Sequence, residues 1–233
     1  DLASLPATSI DRYALESFTT CQKSVHEAFK HFNFKLAHQT IYQFCNDTLS
    51  SFYCSAVKDR LYCDQANSER RINTQRTIWI ILDGLLHLLY PYLPHTTEEC
   101  YAYLYSEDTP PIYLASPKTL TFDTQSNWPT LFTLRSQVLK KLEEAKTIGL
   151  DNPLDANVQI PQTQDLTQFE PDLCDILGVS RIQWIDPQSE IKIEDIRQEP
   201  RCERSWRRDI TVKKRANGHL LSDRDAIAIG ETS

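Results

Sequence analysis

Trp206 stands between Arg204 and the pair Arg207-Arg208. An aromatic plane among guanidiniums can stack an unpaired base while the cations hold its phosphates. The same segment carries a metal-ligand spacing. Cys202 with Ser205, and Ser222 with Asp225, have the separations of the two turns of a structural zinc knuckle. Only one of these positions is a thiol. A neutral hydroxyl is a poor zinc ligand, and one thiolate with one carboxylate does not close a tetrahedral site. Knuckle spacing is present without knuckle chemistry, so no zinc is expected. A second basic feature is Lys58-Asp59-Arg60, with Arg70-Arg71 and Arg76 downstream. It reads as a helix-terminal cation cluster with an internal ion pair, or as a phosphate contact.

Other chemistries find little support. The five glycines are too scattered for a Walker loop or a GxGxxG turn. Six histidines and seven cysteines form no nucleophile signature such as GxSxG. His87 lies beside an apolar stripe and reads as a core histidine. Glu98-Glu99 read as first-turn carboxylates favoured by the helix dipole. An odd number of cysteines without CxxC reads as reduced thiols of a cytosolic protein, and Asn46-Asp47-Thr48 as a chance sequon.

These groups need a scaffold, and most of the chain reads as helix. Leu15, Phe18, Gln22, Val25, Phe29 and Phe32 recur at helical spacing, with Ser9 or Asp11 as cap. A second helix is expected from about Lys35 to Ala56, with Ala37, Ile41, Phe44, Thr48 and Phe52 on one face. A third runs from about Ser68 to Tyr90 on a stripe of Ile78, Ile81, Leu82, Leu85, Leu88 and Leu89, and stops at Pro91 and Pro94. Thr96 and Glu99 make a capping box for a fourth helix, His95 to Tyr105. Ser106 to Asn127 reads as a long loop. Thr130 would cap a fifth helix on Leu131, Leu134, Val138, Leu142 and Ala145, closed by Gly149. Short links between such helices imply an antiparallel bundle.

Past Gly149 the texture changes. Ala156–Ile160 is a short strand candidate, Asp165–Leu177 is weakly helical, and Arg181–Ile185 and Glu190–Ile196 alternate and are β-branched or aromatic. Three regions are therefore expected: a helical domain over 1–150, a small α/β subdomain over 151–198, and a basic tail over 199–233. The 233 residues carry a net charge of −7, yet Arg201–Arg215 alone carries +5, leaving −12 on the remainder. An acidic body with a basic tip suits contact with a polyanion. No apolar run approaches the roughly 18 residues of a membrane helix. The start Asp1-Leu-Ala-Ser lacks the basic region of a signal peptide, and the absence of Met points to a processed product or a piece of a longer chain.

Phe52-Tyr53…Lys58-Asp59-Arg60-Leu61-Tyr62 resembles a segment of the anticodon-binding domain of bacterial-type isoleucyl-tRNA synthetases. Ile10-Asp11-Arg12-Tyr13 resembles the start of that domain's first helix, and Pro91-Tyr-Leu-Pro-His-Thr-Thr-Glu-Glu its turn. Leu134-Arg135 through Ala145 resembles the helix leading to the junction region. The likeness covers essentially the whole chain, in order. A knuckle-like ending, rather than a long coiled-coil arm, favours the isoleucyl over the valyl family. The tail departs at three of four ligand positions, where the family has Cys-x-x-Cys-Trp and Leu-Cys-x-Arg-Cys, while Trp206 and Arg224 stay.

The resemblance implies a mainly α fold: an antiparallel helical bundle of the class I synthetase anticodon-binding type, a small α/β junction subdomain and a basic knuckle-like tail. It implies part of an enzyme that charges the isoleucine tRNA using ATP and magnesium. The HIGH and KMSKS signatures are absent from these residues, so no catalytic residue or cofactor is assigned to the chain. Its expected partners are the isoleucine tRNA and upstream catalytic and editing domains, with no membrane, in a cytoplasmic monomer. Lys58, Arg60, Arg207, Lys213 and Lys214 are expected to position phosphates, and Arg204 and Trp206 to meet bases. Ser222 and Asp225 are expected to hydrogen-bond in the place of zinc. The alternatives are the tRNA-binding part of another class I synthetase such as the valyl enzyme, or a helical protein-interaction module.

Overall fold

The computed structural model describes residues 2–106, 109–117, 127–216 and 218–231. Two compact units emerge, each drawing on separated stretches of chain. The first comprises Asp1–Ala7, Asp11–Tyr53 and Asn73–Gln125; the second comprises Thr8–Ile10, Cys54–Ile72 and Ser126–Ser233.

The first unit is helical. α1 (Ile10–Lys30) buries Leu15, Phe18 and Val25, as its stripe requires, whereas Phe32 lies past its end, 79% exposed. α2 (Phe34–Gln43) is capped by Asn33, whose side chain accepts from the Leu36 amide. The single α-helix expected to Ala56 is instead rewound: Phe44–Tyr53 is a π-helix, and α3 is only Cys54–Ala56. The wider i→i+5 winding turns two consecutive aromatics inward, and Phe52 and Tyr53 are both buried. Tyr53 then donates its hydroxyl to Asp11 Oδ1 at 2.6 Å, and Thr74 donates to the same carboxylate at 2.9 Å. Asp11 is thus a buried hydrogen-bond centre inside α1, not its cap.

α5 (Glu69–Leu89) corrects the expected apolar stripe. Ile78 and Leu82 are exposed, and the buried face runs through Thr74, Thr77, Ile81, Gly84 and Leu88. Gly84 is required by proximity: a Cβ there would lie 2.3 Å from the Phe18 ring. α6 (Pro94–Tyr105) starts with proline in its first turn after Leu93, with no side-chain cap, so Thr96 and Glu99 do not form the expected box. Instead Glu98 accepts from the Ile112 amide at 3.3 Å. Beside it Leu86, Tyr101 and Ile112 form a small core. Of the expected 106–127 loop, 107, 108 and 118–126 lie outside the described residues.

In the second unit α4 (Lys58–Cys63) is one short helix. α7 (Trp128–Ala145) begins after Asn127, with Pro129 in its first turn, so Thr130 lies inside the helix and is not its cap. It buries Leu131, Leu134, Val138, Leu142 and Ala145, the whole expected stripe. A short 3-10 turn follows before Gly149, at φ +84°, reverses the chain. β1 (Ala156–Pro161) lies between β2 (Arg181–Ile185), parallel to it, and β3 (Lys192–Asp195), antiparallel, with Val158 opposite Ile182 and Ile193.

The weak helix between β1 and β2 resolves into α8 (Gln164–Thr167) and α9 (Glu170–Leu177). Pro171 sits in the first turn of α9, where a missing amide costs nothing. The tail follows with strands β4 (Lys213–Lys214) and β5 (Leu220–Leu221) and helix α10 (Asp223–Ala228). Its core is small: Cys202, Val212, Leu221 and Ala226. The chain is mainly helical, and among the described residues no helix is long and apolar enough to cross a membrane.

Candidate nucleic-acid interface

The residues expected to meet RNA and the four knuckle-spaced residues all lie in the second unit, whereas Arg76 lies in the first. The segment around Trp206 is a tight loop. Arg201 bridges to Arg208, the Cys202 amide donates to the Arg207 carbonyl at 2.9 Å, and the Trp206 amide donates to the Cys202 carbonyl at 2.9 Å. This closure forces Trp206 to φ +62°, a left-handed conformation that a bulky residue avoids. The indole is nevertheless 59% exposed. The Arg201 guanidinium lies over the ring, 5.6 Å from its centroid.

Arg204 reaches α4, donating to the Tyr62 carbonyl at 2.7 Å. Lys58, Tyr62, Arg204, Trp206 and Arg207 line one groove of about 400 Å³. Lys58 is exposed, and Tyr62 is 74% exposed. Cations and two open aromatic rings share this surface, so it can hold phosphates and stack bases. Tyr62 was missed by charge-based reading, because an isolated tyrosine in a helix carries no signal until its exposure is known.

Arg60 is a correction. Two residues after exposed Lys58, it is 1% exposed and cannot reach a phosphate. Its guanidinium donates to Asp172 at 2.8 Å and to Asp175 at 2.7 Å, both on α9. Asp172 also accepts from the Ile10 amide at 2.9 Å. Arg207 is largely committed too: it donates to Asp175 at 2.5 Å and keeps only 16% of its side chain exposed. Arg70 pairs with Asp64 at 2.8 Å, and Arg224 donates to Asp59 at 2.5 Å.

This charged network ties α4, α9 and the tail together. Burial alone would raise the Asp59 carboxyl, but the Arg224 hydrogen bond and the charges of Arg207, Arg224 and Arg70 outweigh it and hold the group below the usual carboxylate range. Burial lowers Arg224, yet Asp59, Asp225 and Asp64 more than reverse that. Lys213 and Lys214 are exposed on β4 and lie outside the lining of the groove.

The knuckle-spaced residues converge. Cys202, Ser205 and Ser222 each direct a donor to Asp225, at 3.2, 2.7 and 2.7 Å. Among the described residues no group of three or more His, Cys, Asp or Glu is arranged to hold a metal. Nor does a nucleophile emerge beside the groove. Burial, with the Asp59 and Asp225 charges, pushes the Cys63 thiol up to about 11, so the reactive thiolate is scarce.

A family profile described as the anticodon-binding domain of tRNA ligase matches residues 11–165. The isoleucine--tRNA ligase of Lactococcus lactis is 32% identical over 235 residues, covering 91% of this chain and 25% of the relative. That of Brachyspira hyodysenteriae is 33% identical, covering 79% and 21%. That of Limosilactobacillus reuteri is 36% identical, covering 75% and 20%. The chain thus spans about a quarter of the length of the curated relatives it matches. The profile match takes in well over half the residues, and the chain belongs to the family of anticodon-binding domains of tRNA ligases.

Proposed function

We propose that the chain is the tRNA-gripping part of an isoleucine--tRNA ligase and binds the anticodon arm of the isoleucine tRNA. The observation that carries this reading is the shared groove, where Tyr62 and the strained, exposed Trp206 stand beside Lys58 and Arg204. Backbone strain held at an exposed aromatic is expected at a ligand contact. Unpaired loop bases offer free edges and faces to such rings, whereas paired stems do not.

Lys58 and Arg204 position the backbone; Trp206 and Tyr62 take the bases. Lys213 and Lys214 add salt-dependent attraction from the tail. Arg207 holds the tail in place and contributes its charge from the groove wall. Activation of isoleucine, with ATP and magnesium, belongs to the rest of the enzyme, and the chain acts there as a cytoplasmic monomer.

The test compares binding to an RNA hairpin carrying the anticodon stem and loop of the isoleucine tRNA with binding to a hairpin carrying its acceptor stem. Preference for the anticodon hairpin by about tenfold or more is expected. Equal affinity would overturn the reading.

A further inference from the structure

The knuckle-spaced tail is joined at its centre by one carboxylate oxygen. Asp225 Oδ2 accepts from Cys202 Sγ at 3.2 Å, Ser205 Oγ at 2.7 Å and Ser222 Oγ at 2.7 Å. Each donor brings its own proton and the carboxylate supplies none, so every bond has a defined direction. The acceptor is buried: Cys202 and Asp225 are fully buried and Ser222 is 3% exposed, while Ser205 is half-buried at the groove.

A buried charge needs a partner. Asp225 has two, Arg204 at 3.5 Å and Arg224 at 3.4 Å. Ser222 is bonded in both directions, since its hydroxyl also accepts from the Asp225 amide at 3.2 Å and caps α10. The residues do not fit zinc. Two hydroxyls, one thiol and a carboxylate already saturated by donors would leave a divalent cation without a closed tetrahedral set.

We propose that Asp225 performs the cross-link that a metal ion performs in a knuckle of this spacing, so that the tail folds without zinc. The bonds join the turn at 202–205 to the turn at 222–225 and close the intervening loop, as a metal clip would. Through Arg224, which also donates to Asp59, the same cluster fixes the tail to α4. The proposal concerns how the tail is held and stands apart from what it binds.

Two measurements on the purified chain test it: zinc content without added chelator, and the rate of limited proteolysis within the tail with and without chelator. Zinc below about a tenth of an equivalent and equal cleavage rates are expected. Zinc near one equivalent, or faster cleavage on chelation, would overturn it. Asp225→Asn removes the charged acceptor, and the tail should then be cleaved about tenfold faster or more; an unchanged rate would overturn the role of Asp225. A chain with Ser205→Cys, Ser222→Cys and Asp225→Cys together offers thiols at the knuckle spacing. When folded it should take up one cobalt(II) ion with tetrahedral thiolate absorption, and a folded variant that takes up none would contradict the geometry.

Discussion

Lys58 and Arg60 share a helix of six residues, yet the structure assigns them opposite duties. Lys58 is exposed at the groove, while Arg60 is among the largest fully buried side chains of the described residues and bridges two carboxylates of α9. Arg60→Ala removes one cation from beside Asp175, which is 3% exposed, and Asp172, which is 11% exposed. Asp175 keeps Arg207 and Arg70, but Asp172 is left with the Ile10 amide. Removing one partner of a buried ion pair costs about 3–5 kcal/mol, because the other charge stays buried. For a chain of this size that lowers the melting temperature by roughly 6–20 °C.

Arg60→Lys retains the charge but loses the planar fork that reaches both carboxylates, and should fall between the two. Lys58→Ala should change stability by less than about 0.5 kcal/mol while weakening RNA binding. Thermal unfolding of the three variants, with RNA affinity measured well below the melting range, separates these duties. A stable Arg60→Ala chain with reduced RNA affinity would refute the reasoning and return Arg60 to the surface.

Gly84→Ala places a methyl group against the Phe18 ring; a loss of about 1–3 kcal/mol in urea unfolding is expected, as for overpacked cores. Asp59 is held below its ordinary value in the folded chain, so its contribution is present above about pH 4 and is lost as pH falls through the lower folded value. Asp59→Asn should therefore flatten the acid limb of the stability profile, and an unchanged acid limb would assign acid sensitivity to other groups. Trp206→Ala and Tyr62→Ala should each weaken binding to the anticodon hairpin by about 1–3 kcal/mol if each ring stacks a base; unchanged affinity removes that ring from the interface.

Local pattern carried much of the fold. The α7 stripe is legible because its apolar residues recur at helical spacing and all face inward. The strands are legible because Val158, Ile160, Ile182 and Ile193 sit in short β-branched runs. What failed is what local pattern does not encode. On α5 small and polar residues, Thr74, Thr77 and Gly84, face the core because neighbouring elements come close, while Ile78 and Leu82 are left outside. The π-winding of Phe44–Tyr53 was hidden because Phe44, Thr48 and Phe52 also satisfy α spacing.

At the site the same division holds. Trp206 and its flanking arginines announced themselves by type and order. Arg60 did not reveal its burial, since its carboxylates lie 112 and 115 residues away along the chain. Asp172 and Asp175 gave only an i, i+3 pair on a helix with proline in its first turn. Long-range charge pairing becomes visible only once the elements are placed.

The central claim is that the chain reads the anticodon. The direct measurement is its affinity for the isoleucine tRNA and for the same tRNA with the anticodon replaced, across a salt series. The account predicts that replacement weakens binding by at least about tenfold, near 1.4 kcal/mol, at every salt concentration, with parallel salt slopes. Equal affinities with one common slope would contradict it and reduce the groove to a phosphate grip.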